Sequence, residues 1–200
     1  MGPFVRAISA AFGICCLFAA GPAVAQKDKS GDTTLLLTKA RDIVQMLSDR
    51  LRIEIATALK AGPASSAIGV CQTNAPSVTS TLAEEAGVEL IRVSQKLRNP
   101  DNAPDEWEDK VLVLFQTKVA AGNDIAKLEH SEVIVTPEGD KQFRYMKAIP
   151  VIETCLVCHG NDVKHDVKAE IARIYPEDKA IGYKLGDLRG AFSLIQIIEE

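Results

Sequence analysis

Two cysteines and a histidine stand together in Cys155-Leu156-Val157-Cys158-His159-Gly160, and this spacing constrains the chain more than any other feature. The pattern C-x-x-C-H is typical of covalent attachment of a c-type haem, because each thiol can add to one vinyl group while the adjoining imidazole binds the iron. A structural zinc site needs a second Cys/His pair, which the sequence lacks. A thioredoxin-like dithiol needs a βαβ pattern, which residues 149–154 do not resemble. The motif therefore predicts haem c on Cys155 and Cys158, with His159 as proximal ligand.

The N-terminus has the composition of a signal peptide. Arg6 supplies a positive charge, residues 7–20 are apolar, and residues 23–25 form a small-x-small cleavage site. The apolar run is too short to span a bilayer comfortably. Lipidation at Cys15 is the less favoured alternative, because Ile14 stands where a small residue is needed. We therefore expect export to the periplasm, the compartment in which bacteria attach c-type haem.

Cleavage at this site divides the chain into a signal peptide, residues 1–25, and one domain, residues 26–200. Three of the five cysteines remain in the exported part. Once the two motif cysteines carry haem, Cys71 has no disulfide partner. The formal net charge of −4 argues against nucleic acid as a partner. No later segment is long and apolar enough for stable membrane insertion after signal cleavage.

The order of periodic segments predicts an α+β fold. Apolar residues at steps of three and four from Leu36 to Ile55 indicate a long first helix, which ends before Gly62 and Pro63. A short helix carrying Cys71 follows. Further helices are predicted at residues 78–85, 104–121 and 167–174, and strands at residues 88–93, 131–136, 141–149 and 190–197. The chain thus begins with helices and continues with a small antiparallel sheet that has helical insertions. This order is typical of an α+β fold.

A second axial ligand for the iron has five candidates. Met46 on the long helix and Met146 in a strand are typical of core filling, and His130 and His165 have the surroundings of solvated histidines. Cys71 lies among small and apolar neighbours, and binding to iron would protect its thiol from oxidation. From the residues alone, Cys71 is equally well explained as a ligand and as a small buried hydrophobe.

Four segments carry a resemblance to a known family. They are residues 67–76 (AIGVCQTNAP), 96–104 (KLRNPDNAP), 155–160 (CLVCHG) and 182–193 (GYKLGDLRGAFS). In this order, and over nearly the whole exported chain, they resemble the PAS-like mono-haem c family, whose haem-binding domain also occurs in bacterial sensor kinases. The resemblance implies a PAS-like antiparallel sheet flanked by helices. It also implies axial ligation of the iron by His159 and Cys71.

Several side chains near these segments are candidates for binding the cofactor itself. Arg92, Lys96 and Arg98 can pair with haem propionates, because cationic side chains form strong charge-assisted hydrogen bonds with carboxylates. Solvated surface charges are the alternative for these residues. Tyr145 precedes the motif on the adjoining strand, where packing on the porphyrin and ordinary core packing are equally compatible with the sequence.

Thiolate ligation favours ferric iron and predicts a low reduction potential. A periplasmic electron-transfer protein with an unknown redox partner fits these expectations best. The alternative is a redox or gas sensor, in which reduction or binding of CO or NO releases Cys71 and a partner protein receives the signal. A peroxidase-like enzyme is the least favoured class, because Cys71 would occupy the side of the iron that a substrate needs.

Overall fold

The computed structural model describes residues 1–2 and 29–199, and in the second range it describes side chains from residue 33 onward. Apart from its first two residues, the predicted signal peptide lies outside these ranges. The described part contains six α-helices and four β-strands. No helix in these ranges combines the length and the apolarity that crossing a bilayer requires.

Three helices follow one another at the start of the domain. They are α1 (Lys29–Ala61), α2 (Ala67–Gln72) and α3 (Asn74–Ala86). The predicted end of α1 before Gly62 and Pro63 is confirmed. α3 begins four residues earlier than predicted, because Pro76 lies in its first turn, where a missing N–H breaks no intrahelical hydrogen bond. Gly87 ends α3 in the left-handed conformation, with φ of 65°.

The four strands form one antiparallel sheet. In chain order they are β1 (Glu89–Val93), β2 (Glu129–Val135), β3 (Lys141–Pro150) and β4 (Leu188–Ile197). Their order in the sheet is β1-β4-β3-β2. The predicted hairpin is confirmed as β2 and β3. β4 comes last in the sequence but pairs with both β1 and β3, so it lies inside the sheet.

Three more helices connect the strands. They are α4 (Glu106–Ala120), α5 (Glu153–His159) and α6 (His165–Ile174). A capping box starts α4, in which Asp105 accepts from the Glu108 amide and the Glu108 side chain accepts from the Asp105 amide. α5 follows β3 after two residues and carries the whole C-x-x-C-H motif. The motif therefore sits at one end of the sheet.

Helices cover both faces of the sheet. Phe143 and Tyr145 of β3 face α1 and α3, whereas Met146 and Ala148 of the same strand face α4. This alternation follows the pleat of a strand. The α1 side is built mainly from Ala40, Ile43, Val44, Leu47, Leu51, Ala75, Leu82, Phe192 and Leu194. The predicted antiparallel sheet flanked by helices is confirmed.

Gly190 allows β1 and β4 to approach closely at the end of the sheet that leads into α5. Its φ is 155°, and a Cβ there would lie 2.3 Å from the Val93 carbonyl oxygen. Residues with a side chain rarely adopt this backbone conformation, and a Cβ would also collide with the Val93 carbonyl oxygen. The loop after β1 is thereby brought against the start of β4, beside the motif.

Candidate haem site

The two motif cysteines lie one turn apart on α5, so they share one side of the helix. Both are half-buried, and neither forms a disulfide within the described ranges. Cys155 packs beside Ala180 and Tyr183, while Cys158 packs beside Ile68 of α2. Burial raises the pKa of Cys158 to about 11, so its free thiol is neutral. The motif thus lies between α2 and the segment that precedes β4.

His159 is held through one ring nitrogen. Its Nδ1 lies 2.6 Å from the Ala180 carbonyl oxygen. A carbonyl oxygen can only accept, so Nδ1 carries the proton and donates it. Burial lowers the pKa of His159 to about 2, and the charges of Arg189 and Arg98 lower it further. The imidazole is therefore neutral with its lone pair on Nε2, which is the form that binds a metal.

The C-terminal end of α5 is tied to the segment before β4. The Tyr183 amide donates to the His159 carbonyl at 3.0 Å, and the Gly182 amide donates to the Gly160 carbonyl at 3.1 Å. The Tyr183 ring stands edge-on to the imidazole, with ring centroids 6.2 Å apart. A Cβ on Gly160 would lie 2.7 Å from the Leu156 carbonyl oxygen, which is too close for any side chain. The chain therefore leaves α5 through a position that only glycine can occupy without a shift of the backbone.

Arg98 is buried beside the motif and is bound to protein groups. Its Nε and Nη2 donate to the Asp178 carboxylate at 3.1 and 3.0 Å. Nη2 also donates to the Cys158 carbonyl at 2.7 Å and, over a longer 3.4 Å, to the Ala180 carbonyl. Asp178 in turn accepts from the Ala180 amide. A contact between Arg98 and a propionate stays a prediction beside these observed partners.

Cys71 shares an electrostatic environment with the motif. It lies on α2 and is half-buried. Burial raises the pKa of Cys71, and the charges of Arg92, Arg98 and Arg189 act in the opposite direction. The charge of Cys71 also raises the pKa of Cys158. Ile68 of the same helix packs in one apolar cluster with Cys158, so the structure places α2, and with it Cys71, beside α5.

Two further arginines, Arg92 and Arg189, lie close enough to Cys71 for their charges to lower its pKa. Burial lowers the pKa of Arg92, while the charges of Cys71 and Tyr175 raise it. Among the side chains that the structure describes, Arg92 has no salt-bridge partner. Arg189 donates to the Ser94 hydroxyl at 2.8 Å, and burial likewise lowers its pKa. A half-buried guanidinium without an acidic partner suits an anionic group of a ligand.

The remaining two predicted cofactor residues lie in different places. Lys96 Nζ donates to the Ile181 carbonyl at 2.6 Å and lies 4.4 Å from the centroid of the Tyr183 ring. It thus borders the segment that holds His159. Tyr145 lies in the core against α1, and its hydroxyl donates to Glu129 at 2.9 Å. Tyr145 thus packs in the core, and a contact between Tyr145 and a porphyrin stays a prediction.

The other candidates for the second iron ligand are spread over the molecule. Met46 on α1 is 43% exposed, and Met146 is fully buried under α4. His130 pairs with Met146 across the hairpin, and His165 is exposed at the start of α6. Of the five candidates, all of which lie in the described ranges, Cys71 is the one on the helix that packs beside the motif.

Comparison with known families identifies the chain. The family model Tll0287-like matches residues 24–196. The chain belongs to the Tll0287-like family. The resemblance to a PAS-like mono-haem family is confirmed, and the matched range includes the motif cysteines, His159 and Cys71. No curated protein matches the chain.

A solved structure supports the fold of this Tll0287-like protein. The crystal structure of the cyanobacterial heme-protein Tll0287 is similar to the chain, with a TM-score of 0.60. The match covers 85% of this chain and 98% of that chain, at 22% sequence identity. At this identity the likeness shows the fold, and the PAS-like arrangement of a sheet flanked by helices is confirmed.

Some residues of the Tll0287-like site were not predicted. Arg189 lies within residues 182–193, one of the four segments that carried the resemblance, so that segment was an available signal. Asp178 and Ala180 lie outside all four segments. Ala180 acts through its backbone carbonyl, and a backbone contact leaves no mark in the sequence.

Proposed function

We propose that this chain is a c-type mono-haem protein. In this proposal Cys155 and Cys158 bind one haem through thioether bonds, and His159 and Cys71 are the axial ligands of its iron. The observation that carries the proposal is the His159 imidazole, which is neutral, donates through Nδ1 and leaves Nε2 for a metal. The structurally similar protein is itself described as a heme-protein.

The groups around the motif fit a cofactor that is flat, apolar and anionic at one edge. Ile68, Val163 and Val167 form an apolar cluster beside Cys158. Arg92 is half-buried without a salt bridge among the described side chains, so a propionate would supply its missing counter-charge. We therefore favour Arg92 for this contact over Arg98, whose guanidinium already binds a carboxylate.

The ligand set leads to a function. When bound, haem supplies a one-electron iron couple. An anionic thiolate from Cys71 stabilises the ferric state, so the potential is low compared with that of a His/Met protein. With Cys71 and His159 on the iron, no position is left for a substrate. We infer a low-potential electron-transfer protein that exchanges electrons with a partner protein and is not an enzyme.

Covalent attachment is tested by producing the protein in a host with the cytochrome c maturation machinery. The intact mass should rise by one haem per chain, and the pyridine haemochrome spectrum should be of the c type. A variant with both Cys155→Ala and Cys158→Ala should carry no covalent haem. Cys71→Ala is the matched control, because it should keep the added mass. A colourless wild-type protein without added mass overturns the proposal.

A sensory role is the second candidate, and the geometry of α2 favours it. Cys71 lies on a six-residue helix that has two buried side chains, Ala67 and Ile68, whereas five of the described side chains of α1 are buried. Moving α2 would therefore disturb less packing than moving α1. If reduction releases Cys71, the ferrous protein should bind CO and shift its Soret band. An unchanged Soret band at every pH excludes an open site and leaves the electron-transfer role.

Export belongs to the same proposal. We infer that the chain is cleaved after the small-x-small site at residues 23–25 and works in the periplasm, the compartment in which bacteria attach c-type haem. N-terminal sequencing of the protein from a periplasmic extract should begin at Gln26. Retention of residues 1–25 in that fraction contradicts cleavage.

A further inference from the structure

A buried ion pair lies next to the proposed iron ligand. The side chains of Arg98 and Asp178 are 7% and 8% exposed, with Nη2 and Oδ2 3.0 Å apart. Burying two charges has a large desolvation cost, and only good geometry and additional hydrogen bonds offset it. The additional bonds from Arg98 go to two backbone carbonyls, those of Cys158 and Ala180.

These two carbonyls lie on either side of the hydrogen bond that holds the imidazole. The Cys158 carbonyl belongs to the peptide that leads into His159, the donor. The Ala180 carbonyl is the acceptor of the His159 Nδ1 proton. One guanidinium therefore connects the backbone of the donor to the backbone of the acceptor. Asp178, the partner of Arg98, also accepts from the Ala180 amide at 2.9 Å.

Neighbouring contacts hold the same two segments together. The Lys179 amide donates to the Leu97 carbonyl at 2.8 Å. Lys96 Nζ donates to the Ile181 carbonyl at 2.6 Å. The loop after β1 thus binds the segment before β4 on both sides of Ala180, and Arg98 makes the contact in the middle.

We propose that Arg98 is a positioning residue for the axial histidine. By binding Asp178 and the carbonyls of Cys158 and Ala180, it fixes the Ala180 oxygen where that atom accepts the His159 Nδ1 proton. It thereby fixes the plane of the imidazole ring and the direction of Nε2. The role at iron rests on the proposed function, whereas the role at the Nδ1 hydrogen bond belongs to the protein alone.

The test uses holoprotein with ¹⁵N-labelled histidine. Arg98→Met combined with Asp178→Asn removes both buried charges and leaves neither unpaired. In this double variant the His159 Nδ1 proton should exchange with solvent about tenfold faster or more, the loss expected when a hydrogen bond to a charged group is removed. Ferric EPR lines should broaden as the ring adopts several orientations. Arg98→Lys should fall between the double variant and the wild type.

Arg50→Met is the matched control, because Arg50 pairs with Glu85 at 3.8 Å on the surface. It should leave the exchange rate and the EPR lines unchanged. If the double variant unfolds at a lower temperature but keeps the wild-type exchange rate and EPR lines, Arg98 is a structural residue only and the proposal is wrong. If the double variant does not fold, the same two signals in Arg98→Lys decide the matter.

The failure of this proposal is separable from failure of the haem assignment. A wild-type protein without added mass contradicts the assignment of haem. The Nδ1 exchange measurement on that haem-free chain still tests the role of Arg98. A wild type with covalent haem and an exchange rate that Arg98 does not affect contradicts the positioning role alone.

Discussion

His159 donates to a backbone carbonyl, and this choice of partner has a physical consequence. A carbonyl is neutral, so it orients the ring without favouring the protonated imidazolium as a carboxylate would. Burial dominates instead and lowers the pKa of His159 to about 2. The imidazole remains neutral across the physiological range and stays available as a ligand. Cys71 is balanced differently, because its burial disfavours the thiolate while three arginines favour it.

Gly160→Ala should destabilise the protein. The new Cβ would lie 2.7 Å from the Leu156 carbonyl oxygen, a backbone atom that cannot move aside without shifting α5. We expect a loss of roughly 1–3 kcal/mol in the free energy of unfolding, measured by denaturant titration. Gly62→Ala is the control, because its nearest neighbour is the Ser66 hydroxyl at 3.8 Å. Equal stability of the two variants contradicts the tight turn after His159.

At the residue level, the sequence could predict what depends on local spacing. Cys155, Cys158 and His159 are adjacent, so their pattern alone pointed to one chemistry. For Cys71 the residues left two explanations, because its partners come from segments that are distant in the chain. The charges near the motif were predicted as a group. The sequence could not predict which of these cationic side chains has an acidic partner, because Asp178 is brought to Arg98 only by the fold.

Helix α2 has two buried side chains, Ala67 and Ile68, and Ile68 is the one that packs in the same cluster as Cys158. Ile68 is 1% exposed and packs with Cys158, Val167 and Ile171. Because α2 is six residues long, this contact is its main anchor on α6. The position of Cys71 therefore depends on Ile68.

Ile68→Ala should lower the free energy of unfolding by roughly 2–5 kcal/mol, since it leaves a cavity between α2 and α6. Ile53→Ala on α1 is the matched control, because Ile53 is 64% exposed and its loss should stay within about 0.5 kcal/mol. Urea titration of both variants measures the difference. A similar small effect in both would show that α2 is not anchored at Ile68.

Glu129 joins α1 to the sheet and makes this contact sensitive to acid. It accepts from Arg41 of α1 and from the Tyr145 hydroxyl of β3. The hydrogen bond from Arg41, with a smaller contribution from Tyr145, lowers the pKa of Glu129 despite its partial burial. The Glu129 carboxylate thus binds a proton less tightly in the folded chain than in the unfolded chain. The stabilisation is complete above the ordinary value of 4.5 and is lost as the pH falls through the lowered pKa.

Glu129→Gln should therefore cost about 1 kcal/mol of stability at pH 7. The difference from the wild type should shrink as the pH falls below 4.5, the ordinary glutamate value. Urea unfolding between neutral and acidic pH measures it. Glu85→Gln is the control, because the Glu85 side chain is 58% exposed and its effect should be small. A wild-type advantage over Glu129→Gln that does not change with pH would contradict this account.

Most elements could be predicted from periodicity, because burial on one side repeats every three to four residues in helices and every two in strands. The predicted start of α3 at residue 78 was wrong, because a proline is tolerated in the first turn of a helix and Pro76 lies there. Periodicity could not show that β4 lies between β1 and β3. The pairing of β4 with β1 joins segments about a hundred residues apart, and it depends on Gly190, which lets the two strands approach closely.

At the scale of the molecule, the sheet order explains how one site is assembled from four distant parts. The end of β3, the start of β4 and the loop after β1 meet at one end of the sheet. At that end α5 continues from β3. Ile68 of α2 packs there in one cluster with Val167 and Ile171 of α6 and with Cys158 of α5. The resemblance to a PAS-like family implied a sheet flanked by helices and ligation by His159 and Cys71, but it did not give the order of the strands. The match over residues 24–196 confirms the family.

The central claim, an iron held by His159 and Cys71, is tested most directly by low-temperature EPR of the ferric wild-type protein. Thiolate ligation predicts a low-spin signal with a narrow spread of g values. Cys71→Ala should lose this signal while keeping covalent haem. A wide spread in the wild type, of the kind given by two nitrogen ligands or by His and Met, would contradict the account.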